Sequence, residues 1–517
     1  MQEAVQERLA GQKAGREKRI LGDLYMILFA AVTFVCLFIY YTKVHPLYIH
    51  DLDDWLYVYN PRAGYPDVTE WNPTKVLPET LMPLMSYIGV YFVYPITGDY
   101  IQALCDVYAV TVAALIVTYM ILTAKLLKKR FTTEELPLTL LMGVFLLGHF
   151  LPFLTGESGS QHLFYSINVT CVFNYLIPGL WNFILCLWFL NAEKPGWHSP
   201  LDAAKKGLLI GAVYLAIFSS LWHSVILMSL FGIRLLFALI QGIRENKRKG
   251  KKWISWPFLL GYAKEHLPKL LALCAWLLAM VMEVTGYRAT LNPLGKFMLK
   301  DAVKVCLETV LAMNRGFLTG VVVINAAALC AALCRRGKMG ETEFILHQLE
   351  LLGSMLLCGI FVVLVGAKVG PNYLSRSDIH ISWMLWLMLI TVCSLAYLIQ
   401  VQPKLLWGLP VLLYVLFFAT VIQKGSFAES YIFNQPPAVV KAADDDMIAQ
   451  IQAADQAGES SVEVRIPAAG SGGWPLDQQL TPGRISQALY RHGLTQRPMD
   501  VTLVPDPQKD AELHIQP

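Results

Sequence analysis

Long apolar runs dominate the pattern of hydrophobic and polar positions along the chain. Runs long enough to cross roughly 30 Å of hydrocarbon as helices fall at 20–42, 102–124, 137–153, 170–190, 206–221, 224–242, 267–284, 315–334, 346–367, 380–400 and 404–422. This pattern predicts an α-helical polytopic membrane protein with about eleven transmembrane helices.

Basic residues are unevenly distributed between the loops that join these runs. Successive spans cross the membrane in opposite directions, which puts all the Lys- and Arg-rich connections on the side of the N-terminus. These connections lie at 125–130, 194–206, 244–252 and 335–338. Because cytoplasmic loops carry the excess of Lys and Arg, we predict a cytoplasmic N-terminus and an external C-terminus. A further apolar stretch at 81–95 would reverse every later loop if it crossed the membrane, so we interpret it as an interfacial helix.

Composition supports the same class of protein. Of the 517 residues, 55% are hydrophobic and only 15% are charged, whereas about a quarter of an average globular chain is charged. A disordered chain, a coiled-coil rod and a secreted disulfide scaffold are excluded. The net charge of +4 does not indicate nucleic acid as a partner. Ten cysteines are present, and none has the spacing of a zinc site.

Two polar regions are predicted on the external face. We divide the chain into a basic leader at 1–19, a transmembrane domain at 20–422 with an external loop at 43–101, and an external unit at 423–517. The last of these is predicted to be a small α/β unit, with helices at 444–456 and 486–492 and strands at 461–466, 499–504 and 511–515.

An acidic cluster follows the first span. Asp51, Asp53 and Asp54 occupy three of four consecutive positions, between His50 and Trp55. One interpretation is a solvated acidic loop. A second is acid–base chemistry, because a carboxylate held at the membrane surface could accept a proton from a sugar or lipid hydroxyl.

A divalent metal is the third interpretation of this cluster, because His45, His50, Asp51 and Asp53 are all suitable ligands. Their spacing matches no strong metal motif. We therefore predict no metal centre and no other cofactor, and keep the metal as an alternative.

The loop before the tenth span carries positive charge where external loops are otherwise poor in it. Lys368 and Arg376 lie in a Gly- and Pro-containing turn, followed by Asp378 and His380. The planar guanidinium of an Arg binds phosphate oxygens in pairs. The alternative is that Arg376 reaches lipid headgroups or pairs with Asp378.

Further polar candidates lie at the predicted outer ends of other spans. Arg288 follows the seventh span, and His223 lies between the fifth and sixth, where a packing role is the alternative. Lys75 and Glu79 precede the interfacial stretch in a turn-rich segment that is otherwise interpreted as loop.

Three short motifs give the chain a resemblance to known proteins: Asp53-Asp54-Trp55, Asn174-Tyr175-Leu176 and Pro371…Arg376. An acidic pair followed by an aromatic residue in the first external loop resembles the GT-C superfamily of membrane glycosyltransferases. The order of motifs is similar to that of a bacterial family of uncharacterised multispanning proteins related to O-antigen glucosyltransferases. The Arg-rich stretch that follows the acidic pair in that family is reduced here to Arg62.

The resemblance implies an enzyme of the bacterial cytoplasmic membrane, with its active site and C-terminal unit outside the cytoplasm. Its partners would be a polyprenyl-phosphate sugar donor, a glycan or glycolipid acceptor and membrane lipids. Asp53 would deprotonate the acceptor, and Asp54 would orient the base or hold a sugar hydroxyl. Arg376, with Lys368, Arg288 or His380, would neutralise the leaving phosphate. The remaining predicted site residues are His50, Asp51, Trp55, Arg62, Lys75, Glu79, Asn174, Tyr175 and His223.

Three other functions fit parts of the pattern. A flippase or transporter for lipid-linked sugars would carry ionisable residues deep in its spans, and few are present here. An O-antigen polymerase or ligase resembles a different pattern, with a large late loop that this chain lacks. An assembly scaffold would use the external unit to bind a partner.

Overall fold

A computed structural model describes residues 22–131, 135–154, 161–192, 203–252, 254–291, 296–335, 341–402, 408–424, 435–469 and 480–515. The leader predicted at 1–19 lies outside these ranges. The helices up to residue 424 are α1 (Gly22–Val44), α2 (Leu52–Tyr57), α3 (Val76–Thr97), α4 (Tyr100–Phe131), α5 (Glu135–Gly148), α6 (Val169–Asn191), α7 (Ala203–Ile217), α8 (Val225–Arg248), α9 (Trp256–Glu265), α10 (Leu267–Thr285), α11 (Tyr287–Leu291), α12 (Leu299–Ala312), α13 (Arg315–Cys334), α14 (Glu341–Val369), α15 (Ile381–Val401) and α16 (Gly408–Lys424).

Nine helices in the described ranges are long and apolar enough to cross a membrane: α1, α3, α4, α6, α8, α10 with α11, α13, α14 and α15. The prediction of a helical polytopic membrane protein is thereby confirmed. Eight of the nine coincide with predicted spans, and the ninth, α3, covers the stretch interpreted from sequence as interfacial. The other three predicted spans are the shorter helices α5, α7 and α16, of 14, 15 and 17 residues.

The distribution of apolar side chains separates the outer helices from the central ones. On α1, Leu24, Ile27 and Leu28 are each more than half exposed. An exposed apolar stripe of this kind is unfavourable in water, at about 25 cal/mol for each Å², and favourable in lipid. At the centre, by contrast, α4, α6 and α15 pack their aromatic side chains together, with the ring centroids of Phe183 and Trp386 4.8 Å apart.

Polar side chains also join helices inside the bundle. Asn325 of α13 donates to Thr391 Oγ1 at 3.0 Å and accepts from Ser394 Oγ at 2.8 Å. Both partners lie on α15, so these bonds tie the two helices together. Arg234 of α8 pairs with Glu350 of α14 at 2.5 Å. This ion pair within the bundle was not predicted.

Helix α3 turns back along α4 through a tight connection. Gly98 adopts a left-handed φ of 68° that ends α3, and α4 begins two residues later. The two helices approach closely at Gly89, where an added Cβ would lie 3.1 Å from the carbonyl oxygen of Ala103. At the other end of α3, the backbone N–H of Leu77 donates to Phe218, directly after α7.

The C-terminal residues form a helix–strand–helix–strand–helix unit. Its elements are α17 (Pro437–Gln456), β1 (Ser461–Pro467), α18 (Thr481–Arg491), β2 (Asp500–Asp506) and α19 (Pro507–Glu512). The two strands are parallel and in register from Ser461 opposite Asp500 to Pro467 opposite Asp506. Parallel strands require a crossover connection, and α18 lies within it.

One predicted element of this unit is wrong. Residues 511–515 alternate like a strand, but the chain forms α19 from Pro507 to Glu512. The reason is local: the Asp506 side chain accepts from the backbone N–H of Gln508 and caps the helix, and Pro507 occupies its first turn.

The C-terminal unit makes polar contacts with the start of α4 and with the short helix α2. At the start of α4, Lys441 pairs with Asp99 at 2.7 Å, and Tyr100 Oη lies 2.8 Å from His492 Nδ1. At α2, Arg484 pairs with Asp53 at 3.2 Å. The unit therefore lies against both the acidic motif and the hairpin of α3 and α4.

The close approach of these two helices gives a first prediction. Gly89→Val should lower the stability of the protein by about 1–3 kcal/mol, because the added atoms overpack the contact with Ala103. Thermal unfolding of the purified protein in detergent measures the change. Gly64→Val is the matched control, because nothing lies within 4 Å of a Cβ at that position. Equal melting temperatures for the two variants would contradict the close packing.

Candidate functional site

A cavity of about 960 Å³ lies where α2, the start of α6, α11 and the C-terminal unit meet. Its size suits a substrate of small-molecule dimensions. The lining residues are His50, Asp51, Asp53, Leu56, Tyr57, Trp71, Asn72, Lys75, Tyr165, Ile167, Asn168, Thr170, Cys171, Asn174, Tyr175, Arg288, Tyr373, Arg376, Leu480 and Arg484.

Asp54 is fully buried and is not part of the cavity lining. Its Oδ2 accepts from the backbone N–H groups of His50 and Asp51, each at 3.2 Å. Its Oδ1 accepts from Thr170, from the backbone at 2.7 Å and from the hydroxyl at 2.6 Å. Burial raises the pKa of Asp54, and the nearby His50 opposes that shift. Asp54 thus fastens α2 to the start of α6 and does not face the cavity, so its position favours the alternative in which it orients the neighbouring base over contact with a sugar hydroxyl.

Asp53 is the member of the acidic pair that lines the cavity. Its side chain is 56% exposed, and its Oδ1 lies 3.2 Å from Arg484 Nη1. Asp51 caps α2 by accepting from the backbone N–H of Asp53 at 2.9 Å. Consecutive residues of a helix point about 100° apart, so the two acids of the pair cannot face the same side. Of the pair, Asp53 is therefore the carboxylate that a substrate in the cavity could reach; Asp51 also lines the cavity and caps α2.

Positive charge in the cavity is arranged around one aromatic ring. The guanidinium carbon of Arg376 lies 4.8 Å from the centroid of Tyr175, and Lys75 Nζ lies 5.8 Å from it. Arg376 also donates to both oxygens of Asp378, at 3.0 and 2.7 Å. Burial would lower the pKa of Arg376, but the bonds to Asp378 outweigh burial and raise it. Arg376 is therefore a permanent cation in a fixed position.

Lys75 differs from Arg376 in its surroundings. Burial lowers the pKa of Lys75, and the carboxylate of Glu79 opposes that shift. No salt bridge of Lys75 is found among the described residues, so its ammonium group is available to an anion in the cavity.

A buried polar network holds the segment that carries Lys75. Arg62 donates to Glu79 at 3.1 Å and to the carbonyl of Asn72 at 2.6 Å. The Asn72 amide donates to Glu79 at 2.7 Å and accepts from Arg288 at 3.3 Å. Neither Arg62 nor Glu79 lines the cavity, so their role is to position the segment rather than to touch a substrate. Arg288 does line it.

Asn174 and Tyr175 reach the cavity from a wide turn within α6. This π-helical turn spans Val172–Leu176, and such insertions are frequent at functional sites. Asn174 is buried, and its Oδ1 has no hydrogen-bond partner in the described part of the chain. An unsatisfied acceptor in a residue that lines a cavity is a feature of a ligand site.

His380 does not fit the predicted role of a phosphate-binding cation. It is fully buried, and Trp383 donates to its Nδ1 at 2.9 Å while its Nε2 lies 2.7 Å from the carbonyl of Leu374. Burial lowers the pKa of His380 to about 4, so the ring is neutral at pH 7. The geometry of His380 therefore does not support its predicted role.

Three other predicted residues lie outside the cavity lining. His223 is a packing residue: its Nε2 lies 3.0 Å from the carbonyl of Asp378, and burial lowers its pKa to about 3. Trp55 is fully buried and does not line the cavity. Lys368 lies in the last turn of α14 and does not line the cavity.

The most important residue that the sequence did not indicate is Arg484. It reaches the cavity from the C-terminal unit and donates to the carbonyl of Leu52 at 2.9 Å as well as to Asp53. Leu480 lines the cavity beside it. No local pattern connects these positions with an acidic motif more than four hundred residues earlier in the chain.

The described residues contain no group of three or more His, Cys, Asp or Glu side chains arranged to hold a metal ion. Comparison of the chain with protein-family models, with curated proteins and with solved structures found no match.

The buried neutral histidine gives a second prediction. A histidine whose pKa is about 4 in the folded protein and about 6.5 when unfolded takes up a proton only on unfolding. Stability is therefore lost as the pH falls from about 6.5 towards 4, by up to about 1.4 kcal/mol for each pH unit. His380→Gln should make this loss smaller, as measured by melting temperature against pH. An unchanged pH profile would contradict the burial of a neutral ring.

Proposed function

We propose that the chain is an inverting glycosyltransferase that moves a sugar from a polyprenyl-phosphate donor to a hydroxyl of a cell-envelope glycan or glycolipid. One observation carries the proposal: the solvent-accessible carboxylate of Asp53 shares a cavity with Arg376, Lys75 and Arg288. A base and a set of cations are what the transfer of a sugar from a phosphate requires.

In the proposed reaction, Asp53 accepts the proton of the acceptor hydroxyl. The acceptor oxygen attacks the anomeric carbon as the bond from that carbon to the phosphate oxygen breaks, so the configuration inverts. The lipid phosphate leaves with the bonding electrons. Arg376, Lys75 and Arg288 stabilise its growing negative charge.

The three cations have different parts in this scheme. Asp378 already neutralises the charge of Arg376 by accepting from its Nε and Nη2. Arg376 therefore mainly orients the phosphate, through a hydrogen bond from its remaining Nη1. Lys75 and Arg288 contribute net positive charge. Lys75 replaces His380 and Lys368 in the set of residues expected from sequence.

We further propose that the protein lies in the bacterial cytoplasmic membrane with eleven spans, a cytoplasmic N-terminus and the cavity outside. The last turns of α4 and α8 are basic and lie at the ends of these helices that are remote from the C-terminal unit, as expected on the cytoplasmic side. The eleven spans include α5, α7 and α16.

The proposed topology places α3 along the membrane surface. Its first turn contacts Phe218, and the connection after it holds Asp99, which pairs with Lys441 of the C-terminal unit. Midway along α3, the hydroxyl of Tyr87 donates to the carbonyl of Tyr59 at 3.1 Å. The start, middle and end of α3 thus contact segments that the proposed topology assigns to the external face, which supports a position of α3 along the membrane surface.

A flippase or transporter for lipid-linked sugars is the second candidate. The observation in its favour is the ion pair of Arg234 and Glu350 within the bundle, because charged residues inside spans often mark a transport path. An O-antigen polymerase or ligase stays an alternative within the same chemistry.

The proposed base gives the third prediction. Asp53→Asn should reduce sugar transfer by about a hundredfold or more, the size expected for loss of a general base, while donor binding is retained. Purified protein in detergent is assayed with a panel of polyprenyl-phosphate sugars, and donor binding is measured in parallel.

Asp54→Asn is the matched control for this experiment. It should lower the melting temperature, because an amide nitrogen would face the buried donors of His50, Asp51 or Thr170. Full transfer by Asp53→Asn would contradict the assignment of the base. Donor binding without transfer in the wild-type protein would favour the transporter.

The contact between Arg484 and Asp53 gives the fourth prediction. Arg484→Ala should raise the KM for the acceptor about tenfold, which corresponds to the loss of one hydrogen bond to a charged group, because Arg484 lines the cavity next to the proposed base. Donor binding should not change. Arg491→Ala removes the same charge from the end of α18, outside the cavity lining, and should leave the KM unaltered. Equal effects of the two substitutions would exclude a local role for Arg484.

A further inference from the structure

A second large cavity lies towards the other end of α6, whose start lines the first cavity and whose Phe189 lines the second. Its volume is about 1100 Å³, and it is formed by the end of α4, the later half of α8, the start of α10 and the start of α14. The lining residues are Arg130, Phe189, Ala192, Arg234, Phe237, Ala238, Ile240, Gln241, Arg244, Lys269, Glu343, Leu346, His347, Leu349 and Glu350.

The charged residues of this cavity are mostly basic. Its described lining includes four cations, Arg130, Arg234, Arg244 and Lys269, and two carboxylates. One carboxylate, Glu350, is already held by Arg234. The cavity therefore has an excess of positive charge that an anion would neutralise.

Two buried groups in the lining lack a partner that would explain their burial. His347 is 3% exposed, and neither ring nitrogen has a hydrogen-bond partner among the described residues. Its Nδ1 lies 3.6 Å from Glu350 Oε2, which is an ion pair when the ring is protonated but is beyond hydrogen-bond distance. Lys269 is 9% exposed, and the described residues provide no salt bridge for it. Buried polar groups are normally hydrogen-bonded, and buried lysines are normally paired.

The rest of the lining is apolar and continues to the outer surface of the bundle. Leu346 and Leu349 are 54% and 47% exposed, on a helix long enough to cross a membrane. A ligand in this cavity would meet cations at one end and hydrocarbon at the other. A soluble anion would use only the first of these features, whereas a lipid would use both.

We propose that this second cavity binds the phosphate headgroup of a membrane lipid. Lys269, Arg244 and Arg130 contact the phosphate, His347 donates a hydrogen bond to it, and Arg234 is held in place by Glu350. The lipid chain leaves the cavity past Leu346 and Leu349. This site is independent of sugar transfer and of Asp53.

The test uses the purified full-length protein in detergent. Native mass spectrometry counts bound dioctanoyl phosphatidic acid and farnesyl phosphate, with inorganic phosphate and farnesol as probes for each half of the ligand. The double variant Lys269→Gln/Arg244→Gln should bind the two lipid phosphates at least about tenfold more weakly at one site, as expected from loss of contacts to a charged group. Inorganic phosphate and farnesol should each bind more weakly than the intact lipids.

Two controls separate this site from the first cavity and from unfolding. Lys249→Gln removes a charge that directly follows α8, where Lys249 is 57% exposed and paired only with Glu245 among the described residues, and it should bind as wild type. Asp53→Asn should also bind as wild type, which keeps the result independent of the proposed enzyme.

Arg244→Gln alone changes an exposed side chain and should show weaker binding in a folded protein. Unchanged lipid binding in both Arg244 variants, or equally strong binding of inorganic phosphate, would overturn the proposal.

Discussion

The arrangement of the candidate site depends on one buried carboxylate, that of Asp54. Its oxygens accept from the backbone of His50 and Asp51 on one side and from Thr170 on the other. A carboxylate buried without such donors would cost several kcal/mol, so the donors must converge on it. Their convergence joins α2 to the start of α6. It also turns Asp53 towards the cavity, since neighbouring helical residues point about 100° apart.

Much of the fold was predictable because a bilayer imposes a strong pattern. Eight of the nine long apolar helices coincide with runs read directly from hydrophobicity, and both strands of the C-terminal unit follow their alternating pattern. The error at 511–515 arose because Asp506 and Pro507 start a helix there. A local cap therefore outweighed a short alternating pattern.

The sequence motifs predicted some residues of the candidate site but not how they are arranged. The sequence motifs include Asp53 and Arg376. The different positions of Asp53 and Asp54 depend on the direction in which each side chain leaves α2 and on the hydrogen bonds that Thr170 of α6 donates to Asp54. Only tertiary packing separates the roles of His380 and Lys75. The ring of His380 is enclosed by the protein, whereas the side chain of Lys75 faces the cavity. Arg484 required knowledge of how the C-terminal unit docks, which no local pattern contains.

Hydrogen bonding differs between Asn325, which joins two helices, and two buried polar residues that face the cavities, Asn174 and His347. Asn325 has partners for both ends of its amide and joins two helices. Asn174 and His347 are more deeply buried than Asn325, yet they have unsatisfied atoms and line the two large cavities. Burial without partners is unfavourable, so such residues indicate that a ligand supplies what the protein does not. By this reasoning we propose a ligand at each end of the bundle; helix α6 lines both cavities, the first near its start and the second near its end.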